Sequence, residues 1–131
     1  MNYYKKIGSE LYLLEQTYKE ASLKIKSSPM KTFLKTQAET RKKFRNQLKI
    51  DTPSKVKNGL PGNIQTVLGS DTQVILIQCL TEEENLIKEY QKALSTDKLD
   101  KGNYQMVSQQ LFNALVVYNQ LRAMKLSFSY S

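Results

Sequence analysis

The chain has 131 residues, of which 40% are hydrophobic and 24% charged, and its formal net charge is +8 at pH 7. It contains no histidine and a single cysteine, Cys79, which excludes histidine-dependent nucleophiles, an internal disulfide and zinc sites built from histidine or several cysteines. No apolar run reaches the roughly 18 residues of a membrane span, and no signal-peptide pattern is present, so we expect one soluble, cytoplasmic domain without a cofactor.

The first half of the chain predicts two helices. Helix 1 covers about 3–25, and its apolar residues alternate spacings of three and four, as in the seam of a helical bundle. These residues are Tyr4, Ile7, Leu11, Leu14, Tyr18, Ala21 and Ile25. Ser28 as N-cap and Pro29 at the first helical position predict the start of helix 2. Helix 2 then covers about 29–50, with Met30, Phe33, Leu34, Phe44 and Leu48 facing inward.

The second half of the chain predicts two more helices after a linker at 51–71, which is rich in glycine and proline. Helix 3 covers about 72–94, and Asp71 or Thr72 is a suitable cap. Helix 4 covers about 99–125, and the remaining tail is expected to fray. The inward residues of helices 3 and 4 are Leu76, Leu80, Ile87, Tyr90 and Leu94, and Val107, Leu111, Ala114, Tyr118 and Leu121.

The connections determine the expected architecture. Helices 1 and 2 are joined by a short segment, as are helices 3 and 4, so each pair should be antiparallel. The linker between the pairs is long enough to run the full length of the bundle. We therefore predict an all-α, ferritin-like four-helix bundle in which two antiparallel hairpins are joined by a long crossover. An up-down-up-down bundle is the alternative.

Charged residues fall on the predicted inward faces of helices 2 and 3. In the segment LTEEENLIKEY, Glu83 lies near the centre of the apolar stripe, and Glu82 and Glu84 lie at its edges, about 100° to either side. A buried carboxylate is costly unless it is paired, and the planar guanidinium of Arg41 suits a carboxylate. We therefore predict a buried polar layer formed by Glu83, Arg41, Gln37, Tyr18 and Tyr118. The alternative is that Glu83 and Arg41 reach water along their stems.

An inward glutamate in a four-helix bundle raises the possibility of a metal centre. Di-iron bundles use a glutamate from each of two helices and a Glu-x-x-His motif from each of the other two. This chain has no histidine, and its helix 4 has no acidic residue after Asp100. We therefore expect no di-metal centre, and the acidic edge at residues 82–84 is interpreted as partly solvated surface, with a weak surface cation site as the alternative.

The four helical segments together carry a family resemblance. They are YLLEQTYKEAS, KTFLKTQAETRKKFRNQLK, ILIQCLTEEENLIKEYQKAL and QLFNALVVYNQLRAMK. With them the chain resembles a bacterial family of unknown function with a ferritin-like four-helix bundle. The resemblance implies that topology, marks Gln37, Glu83 or Glu84, and Tyr90 as characteristic positions, and implies no activity. Such proteins often carry a histidine followed by an acid where this chain has Tyr118 and Asn119.

Charge is distributed unevenly along the chain. Residues 1–60 contain 14 Lys and Arg against five Asp and Glu, whereas residues 61–131 contain six against seven. A basic face on helix 2 is predicted from Lys31, Lys35, Lys42, Lys43, Arg45 and Lys49. Such a face is able to bind nucleic acid or an anionic surface. Since no nucleic-acid-binding motif accompanies it, the preferred interpretation is a solvated basic face.

Helix 4 has the opposite character. Residues 103–121 carry no charge, and a second apolar row opposite the core consists of Phe112, Leu115, Val116 and Ala123. An uncharged outer face favours an interface, which we predict to be a homodimer through helix 4. The alternative is that the linker buries this row, or that scattered apolar residues are simply tolerated there. The preferred function is therefore a non-enzymatic bundle acting through contacts with an unidentified protein partner. The analogy with ferritin-like proteins suggests a stress-related role, and nucleic-acid or anionic-surface binding through helix 2 is the alternative function.

Overall fold

The computed structural model describes residues 3–48, 71–96 and 98–129, and within them it has four α-helices. Helix α1 is Tyr3–Lys24, α2 is Ser28–Gln47, α3 is Thr72–Leu94 and α4 is Lys101–Ser129. These helices pack as an all-α four-helix bundle, as the sequence predicts. The predicted linker lies outside the described residues, apart from Asp71.

The start of α2 differs by one residue from the prediction. Ser27, rather than Ser28, is the N-cap, and its Oγ accepts a hydrogen bond from the Met30 backbone N–H at 3.4 Å. Pro29 therefore lies within the first turn, where its missing N–H leaves no helical hydrogen bond unmade. The helix ends at Gln47, with Leu48 as C-cap, and the predicted last residues 49 and 50 lie outside the described part of the chain.

Aspartates begin both helices of the second hairpin. Asp71 is the N-cap of α3, and its carboxylate accepts from the backbone N–H groups of Gln73 and Val74. Asp100 accepts similarly from the Asn103 N–H at 2.8 Å, which satisfies a free donor at the start of α4. The predicted start of α4 at 99 is thus two residues early. Its predicted end near 125 is also wrong, because α4 continues to Ser129 through a segment with no proline or glycine to stop it.

The contacts between helices fix their directions. Lys31 of α2 bonds Ser22 of α1 and Arg45 bonds Glu15, so α1 and α2 are antiparallel. Between α1 and α3, the hydroxyl of Thr17 donates a hydrogen bond to the carboxylate of Glu82. Seven residues earlier in α1, Glu10 lies close enough to interact electrostatically with Glu89, seven residues later in α3.

Since α2 and α3 are both antiparallel to α1, they run in the same direction. The end of α2 and the start of α3 therefore lie at opposite ends of the bundle. This is the arrangement predicted for two hairpins with a crossover, whereas the up-down-up-down alternative requires α2 and α3 to be antiparallel.

The core follows the predicted stripe of helix 1 closely, whereas in α2 and α3 several stripe residues, among them Phe33, Phe44 and Leu80, are only partly buried. In α1 every predicted stripe residue is buried except Tyr4, which is partly buried. Helix α4 is rotated from its prediction, because Gln110 and Val117 are buried while Leu111 and Tyr118 are only partly buried. The rotation brings the Gln110 amide toward α2 and α3, where it finds hydrogen-bond partners.

None of the helices in the described part of the chain combines the length and apolarity needed to cross a membrane.

Candidate functional site

A charged pair lies at the centre of the bundle. The Nη2 atom of Arg41 donates to both carboxylate oxygens of Glu83 at 2.9 Å, and both side chains are fully buried. The hydroxyl of Tyr18 donates to Glu83 Oε1 at 2.5 Å. The structure therefore pairs Glu83 with Arg41, as predicted, and neither side chain reaches water.

The fourth helix contributes a residue that the sequence analysis missed. Arg41 Nη1 donates to Asn113 Oδ1 at 2.8 Å, so each helix supplies one member of the layer: Tyr18 from α1, Arg41 from α2, Glu83 from α3 and Asn113 from α4. The ring of Phe44 lies 5.5 Å from the Arg41 guanidinium carbon, within range of a cation–π contact. We refer to Tyr18, Arg41, Glu83 and Asn113 as the central layer.

The electrostatics of the central layer keep Arg41 charged and Tyr18 neutral. Burial by itself lowers the pKa of Arg41, but the charge of Glu83 and its hydrogen bonds outweigh burial and raise it. Burial and the neighbouring Glu83 charge raise the pKa of Tyr18, so its hydroxyl stays a donor. The layer is thus one connected hydrogen-bond network across the four helices, although the buried Nε atom of Arg41 has no partner among the described residues.

Two predicted members of the layer lie apart from it. Gln37 is buried, but its Oε1 atom has no hydrogen-bond partner among the described residues. Tyr118 is partly buried against the core, and within the described ranges no hydrogen bond joins it to Arg41 or Glu83. The rotation of α4 explains this difference, because it turns Asn113 rather than Tyr118 toward Arg41.

The two glutamates beside Glu83 differ strongly from each other. Glu82, predicted at the edge of the stripe, is buried and accepts hydrogen bonds from Thr17 and Gln78. Burial raises the pKa of Glu82, although those two hydrogen bonds oppose the shift. Glu84 has 51% of its side chain exposed and pairs with Lys88 at 3.5 Å. The packing of α1 on α3 therefore buries Glu82 on one flank of the stripe and leaves Glu84, on the other flank, exposed to solvent.

A second buried ion pair lies within the first hairpin. Arg45 Nη2 donates to Glu15 Oε1 at 2.7 Å, and Glu15 also pairs with Lys19 at 3.2 Å. The ring of Tyr12 lies 5.1 Å from the Arg45 guanidinium carbon. Arg45 was predicted on the basic outer face, and this prediction is wrong. Its position four residues after Arg41 places it on the inward side of α2, which the sequence alone could have indicated.

Tyr90, Gln110 and Cys79 are three further buried side chains. Tyr90 Oη donates to Gln110 Oε1 at 2.6 Å, and Gln110 Nε2 donates to Gln47 Oε1 at 3.0 Å. Cys79 is fully buried, and burial raises the pKa of its thiol strongly, which makes the reactive thiolate unfavourable. Within the described ranges, no three acidic or cysteine side chains are grouped so that they could hold a metal ion.

The outer face of α4 is apolar and exposed, as its sequence predicts. Phe112 is 71% exposed, and Leu115 and Val116 are each about 40% exposed. Ala123 is also exposed. The structure adds Tyr104 and Leu126 as exposed apolar residues on this helix. We refer to Tyr104, Phe112, Leu115, Val116, Ala123 and Leu126 as the α4 face.

The basic residues predicted on α2 do not form one continuous face. Lys35, Lys42 and Lys43 are exposed, and Lys31 is partly buried with its ammonium group donating to the Ser22 carbonyl at 2.8 Å. Lys49 lies outside the described residues. A groove of about 370 Å³ lies between α1 and α2, and Lys35 is on its rim.

No family model matches the chain, and no curated protein or solved structure matches it either. The resemblance to the bacterial ferritin-like family therefore stays a prediction.

Proposed function

We propose that the protein is a non-enzymatic helical bundle that acts through protein–protein contacts and forms a homodimer through the α4 face. The observation that carries the proposal is the exposure of Phe112, which leaves a large aromatic side chain in solvent at 71% of its full area. Apolar side chains of neighbouring turns extend the patch along the helix. Exposed apolar surface of this extent is typical of interaction sites.

The charge distribution identifies α4 as the part of the surface where two copies of the chain can meet with the least repulsion. Two molecules with a net charge of +8 repel each other over most of their surfaces. Residues 102–121 contain no charged side chain, so contact through this part of α4 brings the fewest like charges together. An interface that excludes charge from its centre and contains aromatic residues has the composition of protein–protein interfaces.

A two-fold arrangement of α4 against its copy is self-complementary. Leu115 is the midpoint of the helix, which spans Lys101–Ser129. In an antiparallel pair centred there, Tyr104 of one copy lies opposite Leu126 of the other, because both are eleven residues from Leu115. The same patch then serves both subunits, as an isologous dimer requires. The helix is about 43 Å long, which allows contact along several turns.

The homodimer is tested first by sedimentation velocity on the wild-type chain and on Phe112→Asp. We expect a concentration-dependent dimer for the wild type and a dissociation constant at least about tenfold higher for the variant, because an aspartate buried in an apolar interface is desolvated without a partner. Thr36→Asp, which makes the same charge change on the exposed side of α2, is the control and should leave the dimer unchanged. A wild-type monomer at every concentration would contradict the proposal.

The two-fold axis is tested separately by crosslinking. In a Leu115→Cys variant, the two introduced thiols lie beside each other across the axis, so mild oxidation should yield a disulfide-linked dimer. The native Cys79 is fully buried and should not crosslink in the wild-type chain. An Asn46→Cys variant on the exposed side of α2 is the control and should crosslink far more slowly. Equal crosslinking of the two variants would argue against this geometry.

A further inference from the structure

A groove between α1 and α2 has apolar residues and two lysines in its lining, together with one acidic residue, Glu39. Its lining residues are Lys19, Ser22, Leu23, Lys35, Ala38 and Glu39. Its volume of about 370 Å³ is enough for two or three aliphatic side chains of a partner. Leu23 is 72% exposed at its edge, so an apolar side chain placed in the groove would cover surface that is now in contact with water.

Lysines continue along the groove beyond its lining residues. Lys31, Lys35, Ala38 and Lys42 follow one another at spacings of four, three and four residues, which places them on one side of α2. Ala38 lines the groove within this row, and the lysines precede and follow it along α2. In the described part of the chain, no salt bridge involves Lys35 or Lys42, so their ammonium groups are available to an anionic partner.

We propose that this groove binds an acidic, amphipathic peptide segment of another protein. The apolar side chains of such a segment would enter the groove over Ala38 and beside Leu23, and its carboxylates would meet the lysines on the rim. This is the helix-in-groove mode of recognition, with charge complementarity selecting the partner. A nucleic acid would use the lysines but not the apolar residues of the lining, and none of the six lining residues is aromatic to stack on a base.

The site is independent of the proposed homodimer. The groove lies on the first hairpin, whereas the α4 face belongs to the second, and no residue is shared between them. A Phe112→Asp variant should therefore keep peptide binding even where it loses the dimer, so failure of either proposal can be recognised by itself.

The test uses a rhodamine-labelled 18-residue peptide with leucines spaced three and four apart and glutamates elsewhere, measured by fluorescence anisotropy with the full chain. We expect saturable binding that weakens about tenfold in Lys35→Glu/Lys42→Glu, because attraction at two positions becomes repulsion. Leu23→Ser should weaken it several-fold by removing apolar contact. All three substituted side chains are exposed, and circular dichroism confirms that each variant is folded.

Three controls distinguish the effects of local charge at the groove, of apolar contact and of the net charge of the chain. Lys88→Glu makes the same type of substitution at an exposed position on α3 and should leave peptide binding within about twofold, since it is remote from the groove. A peptide with glutamine in place of glutamate, and one with the leucines scrambled off a single face, should both bind at least about tenfold more weakly.

Several results would overturn the proposal. One is absence of saturation at millimolar peptide. Another is equal loss in Lys88→Glu and in the double groove variant. A third is equal affinity for the glutamine peptide. Tighter binding of a 20-base-pair DNA duplex than of the peptide at the same salt concentration would show instead that the lysines form a phosphate site.

Discussion

The two hairpins of this bundle contribute similar helices to one core, yet they present different surfaces. Residues 3–48 carry 11 Lys and Arg against four Asp and Glu, whereas the described residues of the second hairpin carry six of each. The first hairpin exposes lysines beside a groove, and the second exposes an uncharged apolar row on α4. The core needs neither feature, so the two hairpins differ in the chemistry that they present to solvent.

The buried polar contacts between the two hairpins also differ from those inside each hairpin. Arg41 comes from the first hairpin and Glu83 from the second, so this ion pair holds the two together. The Glu15–Arg45 pair and the Tyr90–Gln110 hydrogen bond each lie within one hairpin. The ion pair at the joint has two fully buried members and one bond to each of the other two helices, so we expect its disruption to be the most damaging.

The largest effect is expected from Arg41→Leu. The substitution leaves the Glu83 carboxylate buried without its cation, and loss of one partner of a buried pair typically costs about 3–5 kcal/mol. The free energy of unfolding, measured by urea titration, should fall by that amount. A loss within about 0.5 kcal/mol, the range of ordinary surface substitutions, would contradict a central role for the pair.

Adding Glu83→Leu to Arg41→Leu should recover most of the lost stability. The double variant removes the unpaired charge and replaces the pair with apolar side chains, which is often neutral or stabilising. Tyr18 and Asn113 would each lose a partner, so recovery should stop about 1–2 kcal/mol short of the wild type. If the double variant were as unstable as the single one, the cost would come from lost packing rather than from the uncompensated charge.

A smaller effect is expected inside the second hairpin, from Tyr90→Phe. The change removes the hydroxyl that donates to Gln110 Oε1 at 2.6 Å and leaves that buried acceptor without its bond, at a cost of about 1–2 kcal/mol. Thermal and urea unfolding should both report the loss. Tyr104→Phe on the exposed side of α4 is the matched control and should change stability by less than about 0.5 kcal/mol.

The helices and the central ion pair were predictable because both follow from periodicity. Spacings of three and four identify the inward face of α1, and the same rule places Glu83 and Arg41 inside. The partner of Arg41 on α4 was not predictable in this way. Asn113 lies at the flank of its helix, and the rotation that turns it toward Arg41 depends on how Gln110 and Val117 pack.

The burial of Glu82 is a second feature that helical periodicity does not predict. Its position along α3 places it at the edge of the apolar stripe, just as for Glu84, so helical phase treats the two alike. The difference arises because α1 covers one side and brings Thr17 to the carboxylate of Glu82. Which neighbour covers which flank is a property of the assembled bundle, and the spacing within a single helix does not contain it.

The smallest effect expected in this series concerns Glu10, on the joint between α1 and α3. Burial and the nearby charges of Glu82 and Glu89 raise the pKa of Glu10 to about 7. The folded chain therefore holds a proton that the unfolded chain releases near pH 4.5. Its stabilising contribution is fully present below about pH 4.5 and is lost as the pH rises to about 7.

A Glu10→Gln variant should remove this pH dependence, since glutamine resembles the protonated carboxyl and does not titrate. We expect it to be more stable than the wild type above about pH 7, by about 1 kcal/mol or less because solvent screens a partly exposed group. The two chains should have nearly equal stability below about pH 4.5. Urea unfolding across pH 4–8 measures the slope, with Glu39→Gln on the exposed side of α2 as the control that should keep it. If the wild type were more stable than Glu10→Gln at pH 8, Glu10 would have to be a carboxylate in the folded chain. The interface between the hairpins would then contain the negative charges of Glu10, Glu82 and Glu89 together.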